Sequence, residues 1–167
     1  MLEVAEEKSK IALIDLLRLI MLYEAPAAHI YHKHWQTFDI TIFQYMRCLD
    51  IKDNENKVIQ NYHLICLKML ANIYQTQSGL DFVIDTEPSK EIIQFCEYSM
   101  TSSNPKTVFT AAVVLFNHVL TYKRDFSKIN NYLFSAVQKI LETIQSLTDL
   151  EAIKALLLAE TRIIFKN

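Results

Sequence analysis

A polar residue that returns at a fixed place in apolar helical segments is the feature that most constrains this sequence. Asn72, Asn117 and Arg162 follow one another at intervals of 45 residues, and each lies in an otherwise mostly apolar segment. A period in the 40s is typical of α-helical repeat arrays. In such an array the flanking helices are buried and the inner helices line a groove. The sequence therefore predicts a helical solenoid whose groove carries these polar side chains.

The scarcity of turn-forming residues also favours an all-α fold. The 167-residue chain contains one glycine and three prolines, whereas parallel α/β folds and β-sandwiches need more glycine for their turns. At this length we expect one domain with a substantial hydrophobic core. We predict an all-α, armadillo-like α-α superhelix that forms a single repeat domain over residues 1–167, as a fragment of a longer chain.

Charge and hydropathy exclude several classes of function. The formal net charge is −2, so the chain has no overall basic field for nucleic acid or anionic lipid. Its apolar runs are far shorter than the ~20 residues of a membrane span, and its first residues lack the pattern of a signal peptide. Cys48, Cys66 and Cys96 lie far apart in apolar helical stretches, which is typical of reduced core thiols in an intracellular protein. A reactive cysteine is the weaker alternative, because none has a basic or motif context.

Capping residues, prolines and apolar patterning in the sequence predict a series of short helices. We predict helices at 8–23, at 26–35 after a break at Ala25-Pro26, and at 38–48, then a polar loop at 50–56, then helices from Lys57, at 80–84, at 89–99, from Pro105 to about 123, and at 128–145. The helix from Lys57 is expected to end with Gly79 as a left-handed cap. Asn104 is the predicted N-cap before Pro105, and Thr148 with Glu151 forms a predicted capping box for the last helix.

Asn72 and Asn117 allow two interpretations. Asparagine is unfavourable inside a helix because its side chain competes for the backbone, so both residues need partners. Each amide either ties down the end of a neighbouring helix or faces the groove and bonds the backbone of an extended peptide. Lys68 lies one turn before Asn72 on the same face, and a cation beside an amide suits an acidic or C-terminal peptide. Arg18 is a second cation in an apolar helix, although it can pair locally with Asp15.

The sequence offers little support for metal binding or catalysis. His29, His32 and His34 are close in sequence, but no carboxylate or cysteine lies near enough to complete a metal site. The chain lacks a nucleophile elbow, a P-loop and an H-E-x-x-H motif, and it has no glycines to build an oxyanion hole or a phosphate cradle. We therefore expect neither a cofactor nor an enzymatic activity.

Four sequence motifs resemble those of the PUL domain, the C-terminal domain of the phospholipase-activating protein family. They are Leu13-Ile-Asp-Leu-Leu-Arg-Leu19, Lys68-Met-Leu-Ala-Asn72 followed by Gly79, Leu115-Phe-Asn-His-Val119, and Glu151-Ala-Ile-Lys-Ala-Leu-Leu158. They occur in the family's order over residues 11–165, and the chain resembles the C-terminal two-thirds of the family domain. Four positions depart from the pattern: Ile11-Ala12 replaces Phe-Pro, Lys68 replaces an arginine, and Ala155 stands where the last helix of the family has an arginine.

The resemblance implies a non-catalytic, armadillo-like adaptor of the ubiquitin system. Its groove would bind the acidic C-terminal tail of the AAA+ ATPase valosin-containing protein, in the cytoplasm and nucleus, as a monomer. The alternative is a purely structural scaffold that docks other domains through its outer face. The expected peptide-binding residues are Arg18, Lys68, Asn72, Asn117, His118, Lys154 and Arg162.

Overall fold

A computed structural model of the protein describes residues 7–33, 57–84 and 86–121, together with positions 142, 150, 153–154 and 157–158 near the C-terminus. Six helices lie in the continuous stretches, and no β-strand occurs in the described part of the chain. They are α1 (Glu7–Ile20), α2 (Glu24–Lys33), α3 (Lys57–Ile73), α4 (Gln77–Val83), α5 (Thr86–Ser99) and α6 (Pro105–Thr121). This all-helical architecture is consistent with the predicted helical repeat.

Helix α3 is the centre of the described packing, since it contacts both α1 and α6. The ends of α3 and α6 lie together, because the Tyr74 hydroxyl just beyond α3 meets His118 in the last turn of α6. Ser89, near the start of α5, meets the same histidine, so α5 and α6 form an antiparallel hairpin. Helix α4 lies against α2 and α5.

The apolar stripes of these helices join in one continuous core. Leu67, Leu70 and Ile73 of α3 are completely buried, as are Ile92 of α5 and Leu115 of α6. Burial of a side chain of this size stabilises the fold by roughly 1.5–3 kcal/mol, so α3 contributes most of the central layer. Cys66 and Cys96 belong to the same core and are free thiols. Their complete burial agrees with the prediction of core thiols and raises their pKa values, whereas Cys48 lies outside the described residues.

Several predicted helix boundaries agree with the structure. Helix α3 begins at Lys57 and α6 at Pro105, as expected. The Asn104 side-chain oxygen accepts a hydrogen bond from the Lys106 backbone N–H at 3.0 Å, so Asn104 is the N-cap. The predicted helices at 38–48 and 128–145, the polar loop at 50–56 and the Thr148 capping box lie outside the continuously described residues.

The break between the first two helices is earlier than predicted. Helix α1 ends at Ile20 rather than at residue 23, and α2 begins at Glu24, two residues before Pro26. Proline is tolerated there because the N–H groups in the first turn of a helix have no intrahelical acceptor, so proline removes no hydrogen bond. The Glu24 carboxylate also fixes this start, since it accepts hydrogen bonds from the Gln77 and Ser78 backbone N–H groups at 2.7 and 3.0 Å. Desolvation raises the pKa of Glu24, but hydrogen bonds from the side chain and backbone of Ser78 and from the backbone of Gln77 outweigh it and hold the pKa below its ordinary value.

The predicted role of Gly79 was wrong. Helix α3 ends at Ile73, Gly79 lies inside α4, and no glycine has positive φ in the described chain. The reason for glycine is close approach: a Cβ at this position would lie 1.9 Å from the Ile73 carbonyl oxygen. The Gly79 N–H bonds the hydroxyl of Thr76, the N-cap of α4, at 3.2 Å. Glycine therefore allows α4 to fold back directly onto the end of α3.

We predict that Gly79→Ala destabilises the domain, because the added methyl group meets backbone that cannot rotate away. Overpacking of this kind costs typically 1–3 kcal/mol or more. The free energy of unfolding in urea measures the loss. Gln77→Ala, an exposed change in the same short helix, is the matched control and should stay within about 0.5 kcal/mol of the unmodified protein. Equal stability of the two variants would contradict the close-approach explanation.

Candidate functional site

The seam between α1 and α3 brings two of the predicted binding residues, Asn72 and Arg18, together. The Asn72 side-chain amide donates a hydrogen bond to the Arg18 backbone carbonyl at 2.7 Å. Arg18 lies in the last turn of α1, where carbonyl groups lose their intrahelical partners. Asn72 thus ties the end of α1 to α3. This is the structural interpretation of Asn72, and it also fixes the position of the Arg18 backbone.

The Arg18 side chain is held in place by its own helix. Its Nε donates to the Asp15 carboxylate at 2.7 Å, and both side chains are partly exposed. A guanidinium has five N–H donors in a fixed fork, so a single bond through Nε leaves donors available. The local pair predicted from the spacing of residues 15 and 18 is confirmed, and it orients the guanidinium rather than neutralising all of its donors.

Lys68 is the second cation near the contact between α1 and α3. It lies on α3, one turn before Asn72, and is exposed. Within the described chain it makes no ion pair or hydrogen bond. Together with Arg18 it provides two positive charges on two helices that pack against each other. Such a site can bind a carboxylate by charge-assisted hydrogen bonds.

Asn117 lies at a second place, near the C-terminal end of α6. It lines a pocket of about 520 Å³ with residues of α4, the segment after α3 and the last turn of α6. In the described part of the structure its amide has no hydrogen-bond partner, in contrast to Asn72. The two asparagines of the repeat therefore have different environments, and the peptide-binding interpretation has more geometric support at Asn117.

His118 lies in the core next to this pocket. Its Nδ1 is 2.9 Å from the Tyr74 hydroxyl and its Nε2 is 3.0 Å from the Ser89 hydroxyl. The ring has no exposed surface, so a bound peptide would reach it only if its neighbours moved. Burial lowers the pKa of His118 to about 3, which keeps the ring neutral. This geometry supports a structural role that links α3, α5 and α6.

A second buried histidine, which the sequence did not single out, holds the opposite end of α5. His63 Nε2 is 3.0 Å from the Ser99 hydroxyl, and its ring stacks on Phe95 with 4.7 Å between ring centroids. Burial lowers the pKa of His63 to about 4. Ser89 and Ser99 are both completely buried, and they fall on the same apolar stripe as Ile92 and Cys96. Small polar residues on a buried stripe were the signal that could have revealed these pairs.

Of the two predicted binding residues near the C-terminus, the structure describes only Lys154. Lys154 is helical and exposed, whereas Arg162 lies outside the described residues. The described chain holds no group of three or more possible metal ligands. None of the helices in the described part combines the length and apolar character needed to cross a membrane.

Comparison with known proteins identifies a family. The family model described as PUL domain matches residues 2–166, which is nearly the whole chain. No curated protein and no solved structure matches the sequence. The family assignment therefore rests on the PUL domain match, together with the helical architecture.

We expect the domain to lose stability below about pH 6.5. A histidine whose pKa is lowered by folding contributes its full stability above the unfolded pKa of ~6.5, and this contribution is lost as the pH falls toward the folded value. For His63 that window extends down to about pH 4, with a loss of ~1.4 kcal/mol per pH unit. Urea unfolding at a series of pH values should show a shallower slope for His63→Gln. His32→Gln, on the exposed side of α2, should keep the original slope, and equal slopes for all three proteins would contradict the prediction.

The two asparagines should differ in their effect on stability. Asn72→Leu removes the donor to the Arg18 carbonyl and should cost about 1–3 kcal/mol. Asn117→Leu breaks no hydrogen bond in the described structure and should change the free energy of unfolding by less than about 0.5 kcal/mol. Urea unfolding of the two variants makes the comparison, because the substitution and the repeat position are the same. Losses of the same size would mean that the two side chains have equivalent structural roles.

Proposed function

The chain belongs to the PUL domain family of protein-interaction domains, and from this premise we propose that it is a non-catalytic adaptor. In this proposal it binds the acidic C-terminal tail of the AAA+ ATPase valosin-containing protein in ubiquitin-dependent degradation. It would act as a monomer in the cytoplasm and nucleus, as a domain of a phospholipase-activating protein. The observation that carries the proposal is the pair of cations, Arg18 and Lys68, at the seam between α1 and α3.

Electrostatics favours a local site over long-range attraction. The chain carries a net charge of −2, so its overall field does not attract an acidic tail. Binding must then rest on a few cations that the fold holds in place. Arg18 is oriented by Asp15, and Lys68 is exposed on the adjacent helix. Their side chains offer several N–H donors to carboxylates, including a terminal carboxylate.

The packing of α1 against α3 supports the same conclusion. The bond from Asn72 to the Arg18 carbonyl joins α1 to α3, and the apolar faces of both helices are part of one core. Cations on a preorganised frame lose less conformational entropy on binding than cations on a loop. In this proposal Asn72 is a positioning residue, and Asn117 provides a backbone contact farther along the peptide. Lys154 and Arg162 would contact the far end of the tail.

The alternative is a scaffold that docks other domains through apolar surface. Leu16, Leu19, Leu22 and Tyr23 are exposed large side chains in and just after α1, and Tyr23 is 65% exposed. Contiguous exposed apolar residues often mark interaction surfaces. This alternative predicts that partner binding depends on the leucines and is insensitive to salt, whereas the adaptor proposal predicts the reverse.

Charge reversal of the seam should remove binding to an acidic peptide. Each charge-assisted hydrogen bond contributes roughly 1.5–3 kcal/mol, which corresponds to about ten- to a hundredfold in affinity. Lys68→Glu and Arg18→Glu add repulsion to that loss. Isothermal titration calorimetry with an acidic peptide that ends in a free carboxylate should show at least about tenfold weaker binding for each variant, and added salt should weaken the unmodified complex.

Lys106→Glu supplies the matched control for this titration. It makes the same change in charge at an exposed position on α6, away from the seam, and it should leave the affinity within about twofold of the unmodified protein. Circular dichroism checks that all three variants keep their helical content. Unchanged affinity for Lys68→Glu and Arg18→Glu, together with indifference to salt, would overturn the proposal and favour the apolar surface of α1.

A further inference from the structure

The pocket beside Asn117 has a chemical character that differs from the cationic seam. It lies where the last turn of α6 and the segment after α3 face α4, and its volume is about 520 Å³. This volume is within the range of typical ligand sites, roughly 300–1,000 Å³. The pocket is therefore large enough for a long side chain from a partner, including its terminal group.

The walls of the pocket combine apolar and polar groups. Leu80 and Ile84 from the α4 region and Leu120 from α6 supply apolar surface. Asp81 and the Asn117 amide supply polar atoms. One Asp81 oxygen accepts a hydrogen bond from the Gln77 side-chain amide at 2.8 Å, which orients the carboxylate and leaves acceptor positions on it available. Long aliphatic surface with an acceptor nearby matches a side chain that is apolar along its stem and positive at its tip.

The helix ends add to this preference for positive charge. Helix α3 ends at Ile73 and α6 at Thr121, and both C-terminal ends are at the pocket. The C-terminus of a helix carries a partial negative charge from its unpaired carbonyl groups. None of the described lining residues is a lysine or an arginine. A carboxylate of a partner would find no described counter-charge here, whereas a cation would find Asp81 and the two helix ends.

We propose that this pocket binds a lysine or arginine side chain of a partner polypeptide. The aliphatic stem lies along Leu80, Ile84 and Leu120, and the positive group reaches the Asp81 carboxylate and the Asn117 side-chain oxygen. The site is a second recognition position, and its charge preference is opposite to that of Arg18 and Lys68. It does not require the acidic tail, because a protein that carries only a basic residue would still satisfy it.

Nuclear magnetic resonance titrations with small probes test the site directly. The probes are the Nα-acetyl methylamides of lysine, norleucine and glutamate, which share a backbone and differ in the terminal group. Lysine should shift the resonances of the Asn117 side-chain amide and of the backbone at Leu80 and Asp81. Norleucine keeps the aliphatic stem without the charge and should bind about two- to fivefold more weakly, the range expected for a partly exposed ion pair. Glutamate should produce no saturable shift.

Substitution of the carboxylate completes the test. Asp81→Asn should reduce lysine binding to the level of norleucine, whereas Glu97→Gln removes a carboxylate on α5 that does not line the pocket and should leave lysine binding unchanged. Lysine binding that equals norleucine binding in the unmodified protein would overturn the proposal. Binding of glutamate at the same resonances would also overturn it.

The results of these experiments can be distinguished from the results of the test of the proposed function. Charge reversal at Arg18 and Lys68 concerns only the acidic peptide, and Asp81→Asn concerns only the basic probe. Loss of acidic-peptide binding without any lysine binding would support the adaptor proposal and reject the pocket. Lysine binding without acidic-peptide binding would support the pocket and reject the seam.

Discussion

The described packing depends on a few hydrogen bonds between polar groups that lie buried or partly buried where the helices meet. An unpaired buried polar group costs about 1–3 kcal/mol, so these pairs are decisive for the alignment of the helices. Asn72 joins α3 to α1, and Tyr74 joins α3 to α6 through His118. Ser99 joins α5 to α3 through His63. Apolar contacts tolerate small shifts along a helix, but these hydrogen bonds do not, and they therefore set the register.

The cationic seam and the pocket are both products of that register. The bond that aligns α1 with α3 places Arg18 and Lys68 on adjacent helices, and the bond through His118 brings the ends of α3 and α6 together beside α4. The two proposed sites therefore lie on one packed frame and differ in the charge that we propose each of them binds. A protein-interaction domain gains affinity from such preorganisation, because less entropy is lost on binding.

Much of the local structure could be predicted from the sequence, but the partners of its polar residues could not. Local signals located the starts of α3 and α6, since capping depends on a few neighbouring residues such as Asn104. Glycine at position 79 was misread because a left-handed cap and a close backbone approach both require glycine, and only the second involves residues brought together by folding. Asn72 and Asn117 share a repeat position, yet the identity of an amide gives no information about whether its partner is a carbonyl of another helix or an open pocket.

Contacts with two neighbouring helices fix the number of residues in α5 between Ser89 and Ser99. Ser89 and Ser99 are ten residues apart and are held by histidines from two different helices, which separates the two anchor points by about 15 Å along the axis. One inserted residue between them would turn the far serine by about 100° and move it by ~1.5 Å, so one of the two hydrogen bonds would break. Length variation should therefore be confined to the connections, such as the turn around Ser102 and Ser103, and the interior of α5 is a poor place for a tag, a linker or a grafted segment.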